Sequence, residues 1–150
     1  EYTWKVIMDS YSDNFLKAIL EEVNTIALIG ASSNPKRDSF IVMESLLNHG
    51  YEVFPVNPNE KGNLILGQHC YESLDSIKCP IDMVDIFRAP EAVLGITEEA
   101  IEIGSKVIWM QLEIINNSAA KIAEDAGLKV IMNRCPKIEL AKPYWTSSQN

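Results

Sequence analysis

Arg37, Arg88 and Arg134 are the only arginines in a 150-residue chain of net charge −8. Each stands just past the C-terminal end of a short apolar run or in the loop that follows it: residues 25–30, 83–87 and 128–132. A guanidinium group is permanently charged and its planar fork matches phosphate oxygens, so arginines gathered on one rim predict a phosphate-bearing anion. The alternative is that loops simply carry charge. The first of these loops reads Gly30-Ala31-Ser32-Ser33-Asn34-Pro35-Lys36-Arg37-Asp38-Ser39 and leads into a helical pattern. Small residues let the backbone approach a ligand, free amides and the helix dipole attract an anion, and Ser32, Ser33 and Ser39 add hydroxyls beside Lys36 and Arg37. Only the first glycine of a G-x-G-x-x-G fingerprint is present, so taken alone the loop also reads as an ordinary strand-to-helix turn.

The second strand ends Val56-Asn57-Pro58. Folds that bind NAD place an acidic residue there for the ribose hydroxyls, whereas a neutral end admits a phosphorylated ribose, which favours coenzyme A or NADP. Cys135, in Asn133-Arg134-Cys135-Pro136, has two readings. It is either a thiol activated by Arg134 and open to a mixed disulfide with a ligand thiol, or a small half-buried residue before a proline. His49 and His69 lie 20 residues apart outside any ligand-type cluster, and the three cysteines lack C-x-x-C spacing, so neither a metal site nor a disulfide framework is predicted. His49, before Gly50, reads as a helix-end residue.

These residues need a scaffold. Apolar runs at 25–30, 51–56, 83–87, 106–112 and 128–132 predict five strands, near-continuous in apolar character as parallel strands buried on both faces are. Helical spacing falls at 14–23, 39–49, 90–103 and 117–126, with Gly50, Gly104 and Gly127 as stops. Alternation of this kind predicts a single α/β Rossmann-like domain, with helices on both faces of a five-stranded, mainly parallel sheet in the order 3-2-1-4-5. The boundaries expected are an N-terminal helical segment at 1–24, the domain at 25–142 and a tail at 143–150. The connection at 57–82 is long for such a unit and is expected to flank the site. Trp109, Met83, Met110 and Met132 are expected in the core, and Glu98, Glu99 and Glu102 on a solvated helix face.

Composition narrows the class. With 47% hydrophobic and 23% charged residues the chain reads as one globular soluble domain. It has no apolar stretch of membrane-helix length, no secretory pattern in the first ten residues and no basic surface for nucleic acid. A cytoplasmic location is expected, with neither membrane nor nucleic acid as partner. Trp4 and Trp145, near the two ends, are candidates to meet each other or a second subunit.

GASSNPKRDS, GYEVFPVNP, ILG with YESL, VDIFRAPE, IWMQLEI and NRCPKIE, in this order, resemble the stand-alone CoA-binding domain proteins related to the CoA-binding domain of the succinyl-CoA synthetase α subunit. The resemblance spans about residues 25–141. It implies that Gly30, Ala31, Ser32, Ser33 and Ser39 hold the pyrophosphate, with Lys36 and Arg37 meeting phosphates. Val56, Asn57 and Pro58 would face the adenosine, Phe87 and Arg88 would form a wall and charge of the cleft, and Gln111, Arg134, Cys135 and Lys137 would line the remaining mouth. Members of this family often carry glycine where this chain has Glu113. The ligase subunit uses a second domain with a phosphorylated histidine, and neither His49 nor His69 stands in such a segment. The resemblance therefore implies a protein that binds coenzyme A or an acyl-CoA without a catalytic domain of its own. Two other readings stand beside it: an NADP-dependent oxidoreductase, and an interaction module that binds no nucleotide.

Overall fold

The computed structural model describes residues 11–143 and Trp145. Trp4 and the far end of the expected tail lie outside the described residues. Helix α1 (Asp13–Glu22) begins where the Ser12 hydroxyl accepts the Phe15 amide at 3.1 Å, satisfying one of the N-terminal donors that a helix leaves open. Its buried stripe is Leu16, Ile19 and Leu20, while Phe15, which the spacing places on the apolar face, is 37% exposed.

Strands β1 (Thr25–Ile29) and β2 (Glu52–Val56) flank helix α2 (Asp38–Asn48) as one right-sized βαβ unit. Two short strands, β3 (Leu64–Ile65) and β4 (Gln68–His69), form a hairpin apart from the main sheet. Then come β5 (Met83–Ile86), helix α3 (Pro90–Glu102), β6 (Val107–Met110), helix α4 (Asn117–Asp125), β7 (Lys129–Ile131) and a short helix α5 (Pro136–Leu140). The hairpin and α5 escaped the sequence reading because elements of two and five residues carry no usable periodicity.

The main sheet is five-stranded and wholly parallel, in the order β2-β1-β5-β6-β7. Numbered by main-sheet strands this is 2-1-3-4-5, which corrects the expected 3-2-1-4-5. The reason lies in β2 and the connection after it. Pro55 sits inside β2 and donates no amide, a residue suited to an edge strand and not to the interior position that 3-2-1-4-5 requires. The outer edge of β2 is taken instead by Tyr71, whose amide donates to the Pro55 carbonyl and whose carbonyl accepts the Asn57 amide, both at 2.9 Å. Strand β5, buried at all four positions, pairs on the other side of β1, where both its faces are covered.

Residues alternate along the strands into two cores. Ala27, Ile29, Val84, Ile86 and Ile108 meet α3 and α4 through Val93, Ala100, Ala119 and Ala123. Leu28, Met83, fully buried Trp109 and Ile131 meet α1 and α2 through Leu16, Leu20, Val42 and Leu46. Tyr51 ties α1 to the domain by donating its hydroxyl to the Leu20 carbonyl. Burial first, and the Glu21 charge second, push that phenol up to about 12. Met110 and Met132 are buried as expected.

Candidate functional site

The sheet order fixes where a ligand can sit. The strand order reverses between the parallel neighbours β1 and β5, so the loops leaving these two strands part and open a crevice at their C-terminal ends. Gly30 makes the opening possible. Its φ is +93°, and a Cβ there would lie 2.6 Å from the Phe87 carbonyl oxygen. The backbone of the first loop thus passes directly over the end of β5, an approach only glycine allows.

An account of the loop's amides shows what it leaves for a ligand. The Gly30 and Ala31 amides donate to the Val56 carbonyl, the Asn34 amide to Ser32 Oγ, the Lys36 amide to Asn34 Oδ1 and the Arg37 amide to the Asn34 carbonyl. The Ser33 amide donates to the Glu60 carboxylate at 2.9 Å. Among the described residues the amides of Ser32, Asp38 and Ser39 find no acceptor, and Arg37, the N-cap of α2, makes no side-chain cap. Ser39 is 6% exposed and its hydroxyl likewise has no protein partner. Three amides without acceptors, one hydroxyl and the positive end of an 11-residue helix therefore border one space.

That space is a cleft of about 850 Å³, within the size range of small-molecule sites. Of the sixteen residues singled out from the sequence, eleven line it: Gly30, Ala31, Ser32, Lys36, Arg37, Ser39, Val56, Asn57, Pro58, Phe87 and Arg88. Lys36, Arg37 and Arg88 are exposed and enter none of the ion pairs among the described residues. Ser33 does not line the cleft. Asn57 lines it with its side chain already committed, because Nδ2 donates to the Ala31 carbonyl and Oδ1 accepts the Asn59 amide. It fastens the phosphate-type loop to the end of β2.

The sequence reading missed the carboxylates of the cleft: Asp38, Glu60, Glu72 and Glu99. Contacts from the Ser33 hydroxyl and amide hold Glu60 below its ordinary range. Glu60 reaches the cleft from the turn Pro58–Glu60, so the neutral end of β2 does not leave the region free of negative charge. Glu72 is paired with Lys61 at 3.1 Å. Glu99, expected on a solvated face, lines the cleft, and burial, followed by the charges of Asp75 and Glu102, raises its pKa. The wider wall, Ser73, Leu74 and Ile96, comes from the long connection and from α3.

Past Phe87 lies a second cavity of about 360 Å³, bordered by Gln111, Cys135 and Lys137 among others. Phe87 and Asp38 line both cavities, so the two are neighbours across one aromatic ring. Arg134 lines neither. Its guanidinium lies 3.5 Å from the Glu139 carboxylate and 5.3 Å over the Tyr11 ring, which fastens the chain after β7 to the segment before α1. It is engaged away from both cavities. Asp85, on β5, is wholly buried, and desolvation raises its pKa well above the ordinary value. With the Gln111 amide oriented so that nitrogen faces Asp85, it donates to both carboxylate oxygens, at 2.8 and 3.2 Å. No group of three or more potential metal ligands occurs among the described residues.

Known proteins resemble this chain over most of its length. The chain is 36% identical over 131 residues to YneT of Bacillus subtilis, a match covering 87% of this chain and 96% of that one. It is 31% identical over 124 residues to the α subunit of an ADP-forming acetate–CoA ligase of Pyrococcus furiosus, covering 80% of this chain and 25% of the subunit. A solved protein of Pyrococcus horikoshii, 42% identical, superposes with a TM-score of 0.84 over 89% of this chain and 92% of its own. Residues 24–141 match the CoA binding domain, and with the parting of β1 and β5 and the loop between Gly30 and Ser39 in place, the chain belongs to that family.

Proposed function

We propose that this protein binds coenzyme A or an acyl-CoA in the cleft between the ends of β1 and β5. The observation that carries the reading is the set of unclaimed donors: the amides of Ser32, Asp38 and Ser39 with the Ser39 hydroxyl, at a helix N-terminus flanked by unpaired Lys36, Arg37 and Arg88. A pyrophosphate satisfies such donors better than water does, since each is fixed by the fold and charge-assisted. In this reading Val56 and Pro58 cover the adenine, Arg37 and Arg88 meet phosphate oxygens, and Phe87 turns the pantetheine arm toward Gln111, Cys135 and Lys137.

Calorimetry on reduced, ligand-stripped protein tests it, with dephospho-CoA and NADPH as competitors. The expected result is micromolar or tighter CoA binding, weakened about tenfold or more by Arg37→Ala and by Arg88→Ala, the loss typical of a hydrogen bond to a charged group. Equal affinity for dephospho-CoA would remove the 3′-phosphate from the account. Failure of CoA to bind would sink the reading.

A further inference from the structure

We infer that the second cavity is an acyl chamber, and that the ligand class this protein prefers is a medium-chain acyl-CoA thioester over free CoA. The inference rests on the cleft being the CoA site and adds what the far end of the ligand carries. Three large apolar side chains border this cavity from three separate elements while remaining open to solvent: Ile41 of α2 at 39%, Leu112 after β6 at 50% and Ile138 of α5 at 50%. Few large apolar groups of the described residues are exposed at all, and these three converge on one concavity beside the cleft. Apolar surface gathered in this way marks a place normally covered by something apolar.

The chamber's polar groups explain why the occupant is hydrocarbon. Gln111 is 5% exposed and spends its amide nitrogen on the Asp85 carboxylate beneath the floor. Asp38 and Lys137 stand at the rim, both exposed. An inward-facing group therefore meets Ile41, Val42, Phe87, Leu112 and Ile138 and gains by leaving water, not by hydrogen bonding. The position argues for a tethered chain and against a separate molecule, because Phe87 and Asp38 belong to both cavities and a thioester leaving the cleft past Phe87 enters the chamber directly. At about 30 Å³ per water-sized group, 360 Å³ holds about twelve such groups; the cysteamine end and thioester take about four, leaving room for an acyl chain of about eight carbons.

Dissociation constants for CoA and its acetyl, butyryl, hexanoyl, octanoyl and palmitoyl thioesters decide the matter. The expected series tightens about fourfold per buried methylene up to about eight carbons and then levels. Ile138→Trp, which fills the chamber from an exposed position, should bring the ratio of CoA to octanoyl-CoA dissociation constants down toward one. Leu64→Asp, on the remote hairpin, should leave that ratio unchanged. CoA binding with a flat or falling series overturns the chamber alone. If affinity ignores chain length while the protein's mass in solution rises with concentration, the apolar patch belongs to self-association and the inference fails. Loss of binding for every member overturns the cleft reading and the chamber with it.

Discussion

Gly30 and Glu60 show how single residues set the mouth of the cleft. A Cβ at position 30 would meet the Phe87 backbone at 2.6 Å on a φ of +93°, so neither the side chain nor the dihedral has room to give. Gly30→Ala should therefore cost about 2–4 kcal/mol of stability, the sum of a left-handed penalty and a backbone clash, read from denaturant unfolding at unchanged m. A loss under about 0.5 kcal/mol would mean the loop relaxes freely. Glu60 acts in the opposite sense. Its carboxylate accepts the Ser33 amide, which lies outside the cleft, and sets a negative charge on the cleft wall where a phosphate is proposed to lie. Glu60→Gln keeps an acceptor for that amide and removes the charge. CoA affinity should rise several-fold in calorimetry at low salt, and the gain should shrink as ionic strength increases. An unchanged or weaker affinity would place the phosphates away from Glu60. Glu113 adds a local strain of its own: its φ is +69° at a position where the resembling family often has glycine, and the Asn133 side chain accepts its amide at 2.7 Å.

At the scale of elements, β5 carries both halves of the design. Its C-terminal end delivers Phe87 and Arg88 to the cleft, while its interior holds a wholly buried carboxyl at Asp85, paired among the described residues only with the Gln111 amide. Burial raises the folded-state pKa of Asp85 above its unfolded value, so the native protein keeps a proton that the unfolded chain has already lost. The stability contributed by this carboxyl is fully present below the unfolded value near pH 4 and is lost as pH rises through the higher folded value. Unfolding free energy followed from about pH 4 to pH 8 should therefore contain a falling component that Asp85→Asn removes. A pH profile identical in the two proteins would show Asp85 ionised throughout, held by Gln111 and not neutralised by burial. The same pair supports the chamber, since Gln111 forms part of its floor, so the asparagine variant also reports whether that floor is rigid.

For the whole molecule, a site assembled from both strands at the reversal, the long connection and two helix ends couples ligand binding to the folded state as a unit. Binding to the native state alone adds about 2.7 kcal/mol at a ligand concentration one hundredfold above the dissociation constant. For a chain of this length that is about 5–10 °C in Tm. CoA should produce such a shift, dephospho-CoA a smaller one, and Arg37→Ala should reduce both at fixed ligand concentration. A thermal scan that CoA leaves unmoved would contradict the proposed site. The net charge of −8 works against an anionic ligand at long range, which is why unpaired Lys36, Arg37 and Arg88 must act at contact distance.

The chain by itself determined its class and most of its site. Apolar runs with helical spacing between them required a parallel sheet covered on both faces, and Gly30, Lys36, Arg37, Ser39 and Arg88 were legible because their types sit directly at strand ends, where position along the chain equals position in the crevice, whereas Phe87 was reached only through the family resemblance. Pro55 was a local signal that β2 lies at an edge, and reading it fully would have predicted the order β2-β1-β5-β6-β7. What only the tertiary structure decided depends on contacts between distant segments. Glu60 reaches Ser33 across 27 residues, Arg134 turns to Glu139 and Tyr11 and lines neither cavity, and Asp85 meets Gln111 across neighbouring strands. Glu99 lines the cleft because α3 packs against the turn at Leu74–Ser76 in the long connection. Periodicity reports which face of an element is buried, but not which neighbour covers it. The carboxylates of the cleft and the apolar chamber beyond Phe87 therefore emerged only once the strands had been placed side by side.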